Sequence, residues 1–218
     1  MKKINCLFLL LSIITSVKSQ VKSTEFVGLV KYIHNVIPKE KGYDVSYDYS
    51  GIGKSSDYYF KDGNIKWLTY DCYFKMDLFI ASENRDYYLT NKSDTIFTIK
   101  NNVRDFDVID YKINKSNEVV LGHKCSVLEL KLKPLNADYL ITFRRYYFSN
   151  DFYIDSKKLA NSTSSAYDII YTQMKSIPLK IEYEFANKIV IWEASEIKPM
   201  KLDKHFFELE KDVPIGYW

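Results

Sequence analysis

The sequence predicts a mainly β fold: a curved antiparallel up-and-down sheet with one short helix packed on it. Three observations carry that expectation. Nineteen Tyr and thirteen Phe stand against seven Gly and five Pro, so the chain is rich in strand-forming aromatics and poor in breakers. Runs with period-2 alternation recur almost without pause after residue 25, joined by short polar turns rather than by helical crossovers. A single segment, 164–176, carries the 3.6-residue period.

The first 19 residues read as a cleaved signal peptide. Met1-Lys2-Lys3 is a positive start, residues 6–14 are apolar except for Ser12, and Val17-Lys18-Ser19 gives acceptable residues for signal peptidase. The apolar run is too short for the ~20 residues that span a bilayer, and no later run approaches that length. The expected location is the periplasm or the exterior, with residues 20–218 as a single domain. Those first residues also account for the net charge. Of 31 Lys and Arg, Lys2, Lys3 and Lys18 lie before residue 20, where there is no acid, so the remainder balances the 28 acids. A neutral body lacks the positive field that nucleic-acid binding draws on, and no nucleic acid is expected as a partner.

Strand signals begin at 27–36 and 43–49. The segment 56–67 is a hairpin: Asp62-Gly63 suits a type I′ turn, which needs positive φ at both central residues. Pairing outward sets Phe60 opposite Ile65 and Tyr58 opposite Trp67 on one face, with Tyr59, Lys61 and Lys66 on the other. A strand at 73–80 follows, then a second hairpin over 86–100 around the polar loop 91–94. Further strands are expected at 108–113, 125–132 and 139–148. A third hairpin joins 179–185 to 188–192 through Ala186-Asn187, and its first arm alternates strictly. About ten or eleven strands result, and a sheet that long must curl.

The helical segment places Tyr167, Ile170, Tyr171 and Met174 at i, i+3, i+4 and i+7; Ser165-x-x-Asp168 resembles a capping box, and Pro178 ends the run. Its aromatic stripe either packs as core on the concave face or lines a ligand pocket there, and the sequence leaves both open.

Motifs for chemistry are sparse. His34, His123 and His205 lack the spacing of a zinc hydrolase, and there is no Gly-x-Ser-x-Gly or phosphate-cradling loop. Glu182 and Glu184 share a sheet face but read as a solvated surface rather than a glycosidase dyad. Of Arg144 and Arg145, adjacent on a strand, one alone can point at any given ligand. No catalytic residue, metal site or cofactor is expected.

Cys72 and Cys125 form an even pair in a compartment where disulfides persist. The compartment argues for a bridge, which the chain-entropy model values at about 4 kcal/mol, and the separation of their strands argues against it. The bridge is the expectation.

The succession "YFKDGNIKW", "YYLTNKSDTIFTIK", "LGHKCSVLELKL", "YYFSND", "IPLKIEYE" and the closing "ASEIKPMKLDKHFFELEKDVP" resembles uncharacterised secreted proteins of the Bacteroidota envelope. It is similar, more distantly, to the lipoprotein-carrier (LolA/LolB-like) fold. The GLPGLI signature of a related secreted group is missing, with Ile177-Pro178-Leu179-Lys180 in the comparable place. The resemblance implies a half-barrel wrapped about one or more helices, with a concave face able to hold acyl chains. The implied function is non-enzymatic binding of a hydrophobic or acylated ligand, in envelope lipid or lipoprotein handling. Tyr167, Ile170, Tyr171, Met174, Phe60 and Trp67 are the expected contacts. The alternative is an envelope module that docks another protein without a small ligand.

Overall fold

The computed structural model describes residues 24–100, 104, 106–134, 141–163, 165–210 and 212–217; the predicted signal peptide lies outside them. Strand β1 (Gly28–Pro38) leads to helix α1 (Ser46–Ile52), followed by β2 (Ser55–Lys61), β3 (Asn64–Thr69), β4 (Phe74–Ile80), β5 (Arg85–Thr90) and β6 (Ile96–Lys100). Next come β7 (Phe106–Val120), β8 (His123–Pro134) and β9 (Ile141–Tyr153). Helix α2 (Tyr167–Met174), β10 (Ser176–Phe185), β11 (Lys188–Pro199) and the short β12 (Ile215–Tyr217) complete the chain.

All twelve strands belong to one sheet in the order β12-β6-β5-β4-β3-β2-β1-β11-β10-β9-β8-β7. Every pairing is antiparallel except β12 on β6, so the expected curved up-and-down sheet is present. The first strand sits in the middle, bonded to β2 on one side and β11 on the other. The two arms therefore run outward from β1, and β6 and β7, consecutive in sequence, stand ten strand steps apart. A flat sheet would separate them by ~48 Å. The link 101–105 reaches at most about 20 Å. The sheet must curl until its arms face each other, which creates the concave side.

The predicted hairpin register is observed: Phe60 pairs with Ile65 and Tyr58 with Trp67, around Asp62 and Gly63 at φ 55° and 81°. The concave face of both arms is dry. Tyr32, Tyr58, Phe60, Phe79, Leu128 and Leu130 are buried against α2, whose Ile170, Tyr171 and Met174 complete that core. A smaller cluster occupies the convex face, where the closing segment lays Leu202 and Phe207 over Leu78, Tyr87 and Ile96. Lys61 and Lys66 fasten it by donating to the carbonyls of Leu202 (2.6 Å) and Phe206 (2.9 Å).

Three expectations fail. The strand expected at 43–49 gives way to helix α1. The alternation of Tyr43, Val45 and Tyr47 makes no dry face there, since Tyr47 is 80% exposed. Asp48 instead turns inward to pair with Lys188, and Gly53 (φ 71°) closes the helix by donating to the Tyr49 carbonyl. A side chain at Gly53 would collide with the Tyr70 carbonyl at 2.7 Å, so only glycine fits. A second helix thus joins the one predicted.

The capping box at Ser165 and Asp168 does not form. The residue that starts α2 is Ala166, in the left-handed region, and makes no side-chain cap; Asp168 pairs with Arg104. Arg104 also donates to the Thr163 carbonyl (2.8 Å), so the crossing link is tied to the entry of α2.

The expected bridge between Cys72 and Cys125 is not made: both are free, buried thiols. Cys72 lies just before β4 and Cys125 in β8, on strands that are not neighbours in the sheet, and each thiol turns to its own strand: Cys72 Sγ donates to the Phe74 carbonyl (3.0 Å) and Cys125 Sγ to the His123 carbonyl (3.5 Å).

Candidate functional site

The concave face is not filled completely. Between the two arms, beside α2, lies a half-open cavity of about 320 Å³. Helix α2 contributes Tyr167, Ile170 and Tyr171. The β3–β5 arm contributes Trp67, Asp77 and Tyr88; the facing arm contributes Arg144, Tyr146 and Tyr183, with Ile181 and Trp192 between. The end of α1 forms part of the rim through Gly51 and Ile52.

These positions follow from strand phase. Trp67 is fixed by the I′ hairpin two residues from the buried Ile65, and its ring meets Tyr58 (4.6 Å), Tyr32 (5.3 Å) and Trp192 (5.0 Å). Trp192 in turn meets Tyr183 (5.5 Å), so aromatic rings run across the concavity from one arm to the other. Behind them the hydroxyls find internal partners: Tyr58 and Tyr171 share a hydrogen bond of 2.9 Å, and Tyr32 donates to the Pro178 carbonyl (2.6 Å). Burial pushes the Tyr32, Tyr58, Tyr167 and Tyr171 hydroxyls above their ordinary pKa, so all four stay neutral.

Of the six predicted ligand contacts, Trp67, Tyr167, Ile170 and Tyr171 line the cavity. Phe60 and Met174 do not line it. Phe60 lies two residues along β2 from Tyr58, in the closed part of the core, and Met174 is the last residue of α2. Arg144 and Arg145 divide as strand geometry requires. Arg144 faces the cavity, its guanidinium carbon 4.4 Å from the Phe106 ring centre and 5.5 Å from that of Tyr183, and it donates to the Ser165 carbonyl. Arg145 is on the convex face with Glu184 (2.9 Å) and Glu182 (3.7 Å). Those two acids are therefore ion-pair partners on the outer surface.

Sequence reasoning missed Asp77 and Asp86. Asp77 is in phase with Phe79 and opposite both Trp67 and Tyr88, which places it on the dry face. An acid in phase with buried aromatics was the available signal. Burial and the neighbouring Asp86 carboxyl push Asp77 well above the usual carboxylate range. It has no hydrogen-bond or ion-pair partner among the described residues.

One arrangement resembles a nucleophile and base. His34 Nδ1 lies 3.1 Å and 3.2 Å from the carbonyls of Ile52 and Gly53, which makes it the donor, and Nε2 then accepts from Ser56 Oγ at 2.8 Å. The Ser56 hydroxyl belongs to a residue with no exposed surface, so a substrate carbonyl has no path to it. No group of three or more His, Cys, Asp or Glu suited to a metal occurs among the described residues.

No protein-family model matches this sequence, and no curated protein is similar to it. Among solved structures, the chain is similar to a LolA superfamily protein from Nitrosomonas europaea. The two are 11% identical with a TM-score of 0.37, over 85% of this chain and 91% of the other.

Proposed function

We propose that this chain is a non-enzymatic periplasmic protein that holds a hydrophobic or acylated ligand in the concave-face cavity. The observation that carries the reading is the cavity itself: about 320 Å³, walled mostly by aromatic and aliphatic side chains of a curled sheet and α2, with the end of α1 at its rim. Small-ligand sites are of this kind, concave and mostly apolar with a few placed polar groups, and run from about 300 to 1,000 Å³. This one is at the small end, which suits a single chain or ring system. No helix among the described residues is long and apolar enough to cross a membrane. A place in envelope lipid or lipoprotein handling follows if the predicted signal peptide exports the chain. Native mass spectrometry of the protein purified from its own envelope tests the reading. A retained lipid-sized adduct that organic solvent extracts supports it; apo protein that also ignores fluorescent fatty-acid and neutral apolar probes rejects it.

A second reading, docking of an envelope protein, draws on edge strand β7, whose Ile109, Tyr111 and Ile113 are each about half exposed. A stoichiometric protein partner in an envelope pull-down, with no co-purifying lipid, favours it instead.

A further inference from the structure

Accepting that the cavity is a ligand site, its charges say what the ligand carries. Among the described residues, two side chains of formal charge face into it, Arg144 and Asp77. Arg144 is engaged: its guanidinium lies over Phe106 and Tyr183 and donates to the Ser165 carbonyl. Asp77 is not engaged. It sits on the central strand of three, directly opposite Trp67 on β3 and Tyr88 on β5. Cross-strand neighbours on one face have Cβ atoms ~4.5–5.5 Å apart, so the carboxyl stands between two aromatic rings. Tyr167 of α2 closes the space from the helix side, held edge-on to Phe79 (5.9 Å) and Tyr171 (5.2 Å). Asp86, diagonal to Asp77 on β5, adds a second carboxyl on the same face.

We propose that Trp67, Asp77, Tyr88 and Tyr167 form a subsite for an organic ammonium group, so that the ligand is an apolar molecule with a cationic nitrogen head. Aromatic faces attract cations through the ring quadrupole, and a desolvated site strengthens that attraction. A cation seated between the rings favours the ionised carboxyl, so its binding releases the carboxyl proton and Asp77 becomes the counter-charge. An anionic head at the same place would meet the carboxyl of Asp77, so fatty acids fit this end of the cavity poorly.

Three probes with one tail, dodecyltrimethylammonium, dodecanol and dodecanoate, are titrated below their micelle concentrations at neutral pH. Calorimetry and the fluorescence of Trp67 and Trp192, both in the cavity wall, report binding. The ammonium is expected to bind at least tenfold more tightly than dodecanoate. Asp77→Asn is expected to remove that preference, bringing ammonium and dodecanoate affinities within about twofold, with folding checked by circular dichroism. Tyr88→Leu, which leaves the carboxyl in place, should weaken ammonium binding severalfold more than dodecanol binding. Dodecanoate binding as well as the ammonium, or a preference that survives Asp77→Asn, overturns the subsite and leaves the cavity reading intact. If none of the three binds, the cavity reading falls and the subsite with it.

Discussion

Asp77 and His34 are the two residues whose titration this structure makes most consequential, and they act in opposite directions. Burial holds the Asp77 carboxyl protonated to higher pH in the fold than in the unfolded chain. Its contribution to stability is therefore full at low pH, where both states carry the proton, and is lost as pH rises. Asp77→Asn, which cannot ionise, is expected to remove this loss and flatten the stability profile between acid and neutral pH, read by thermal denaturation across that range. Ammonium binding needs the ionised carboxyl, so affinity should rise with pH. The titratable groups facing Asp77 are Asp86 and Tyr88 of β5 and Tyr167 of α2.

His34 runs the other way. Burial lowers its pKa beneath the ordinary 6.5, and the carbonyls of Ile52 and Gly53 oppose that shift in part. As pH falls, the unfolded chain takes up the proton first. The stability that neutral His34 provides is thus full above that ordinary value and is lost below it. Urea unfolding across pH 5–8 should show the loss, and His34→Gln should flatten it; an unchanged slope would remove His34 as the titrating group.

At the scale of elements, the legible pieces were those whose local chemistry and tertiary environment agree. Asp62-Gly63 demanded positive φ, and the alternation beside it agreed with a dry face, so turn, register and burial of the first hairpin all followed from twelve residues. Helix α2 was legible from the spacing of Tyr167, Ile170, Tyr171 and Met174, but its start was not: Ser165 was the expected cap, while the ion pair between Asp168 and Arg104, 64 positions apart, fixes that end. Helix α1 was misread because alternating tyrosines suggest a strand, whereas the pairing of Asp48 with Lys188 comes from 140 positions away. Long-range partners of this kind leave no mark on local periodicity.

Two changes test how these elements are held. Tyr171→Phe leaves the Tyr58 hydroxyl buried without its 2.9 Å partner and should cost about 1–3 kcal/mol. Phe207→Ala opens a hole in the convex-face cluster and should cost about 3–5 kcal/mol while the concave cavity keeps its shape. Chemical denaturation with a ligand-binding check separates the two outcomes.

For the whole molecule, closure is the property that the individual strands do not reveal. Placing β1 in the centre sends β6 and β7 to opposite edges, and the short link between them obliges the sheet to curl. The cavity follows from that curl, because one eight-residue helix cannot fill the space between two arms of a twelve-stranded sheet. Cys72 and Cys125 stay unbridged on strands that are not neighbours in this order. Thiol titration of residues 20–218 under denaturing conditions without reductant is expected to find two free thiols, and near-zero thiol would contradict their unbridged state.

The central claim is that the concave cavity takes an apolar ligand. Titration of a neutral fluorescent apolar probe against the natural chain and against Ile52→Trp tests it most directly, because Ile52 is only partly buried and lies on the cavity rim. The account predicts one saturable site in the natural chain and its loss in the filled variant, with the circular dichroism spectrum and melting temperature unchanged. Binding that Ile52→Trp leaves untouched, or no saturable binding by the natural chain, would contradict it.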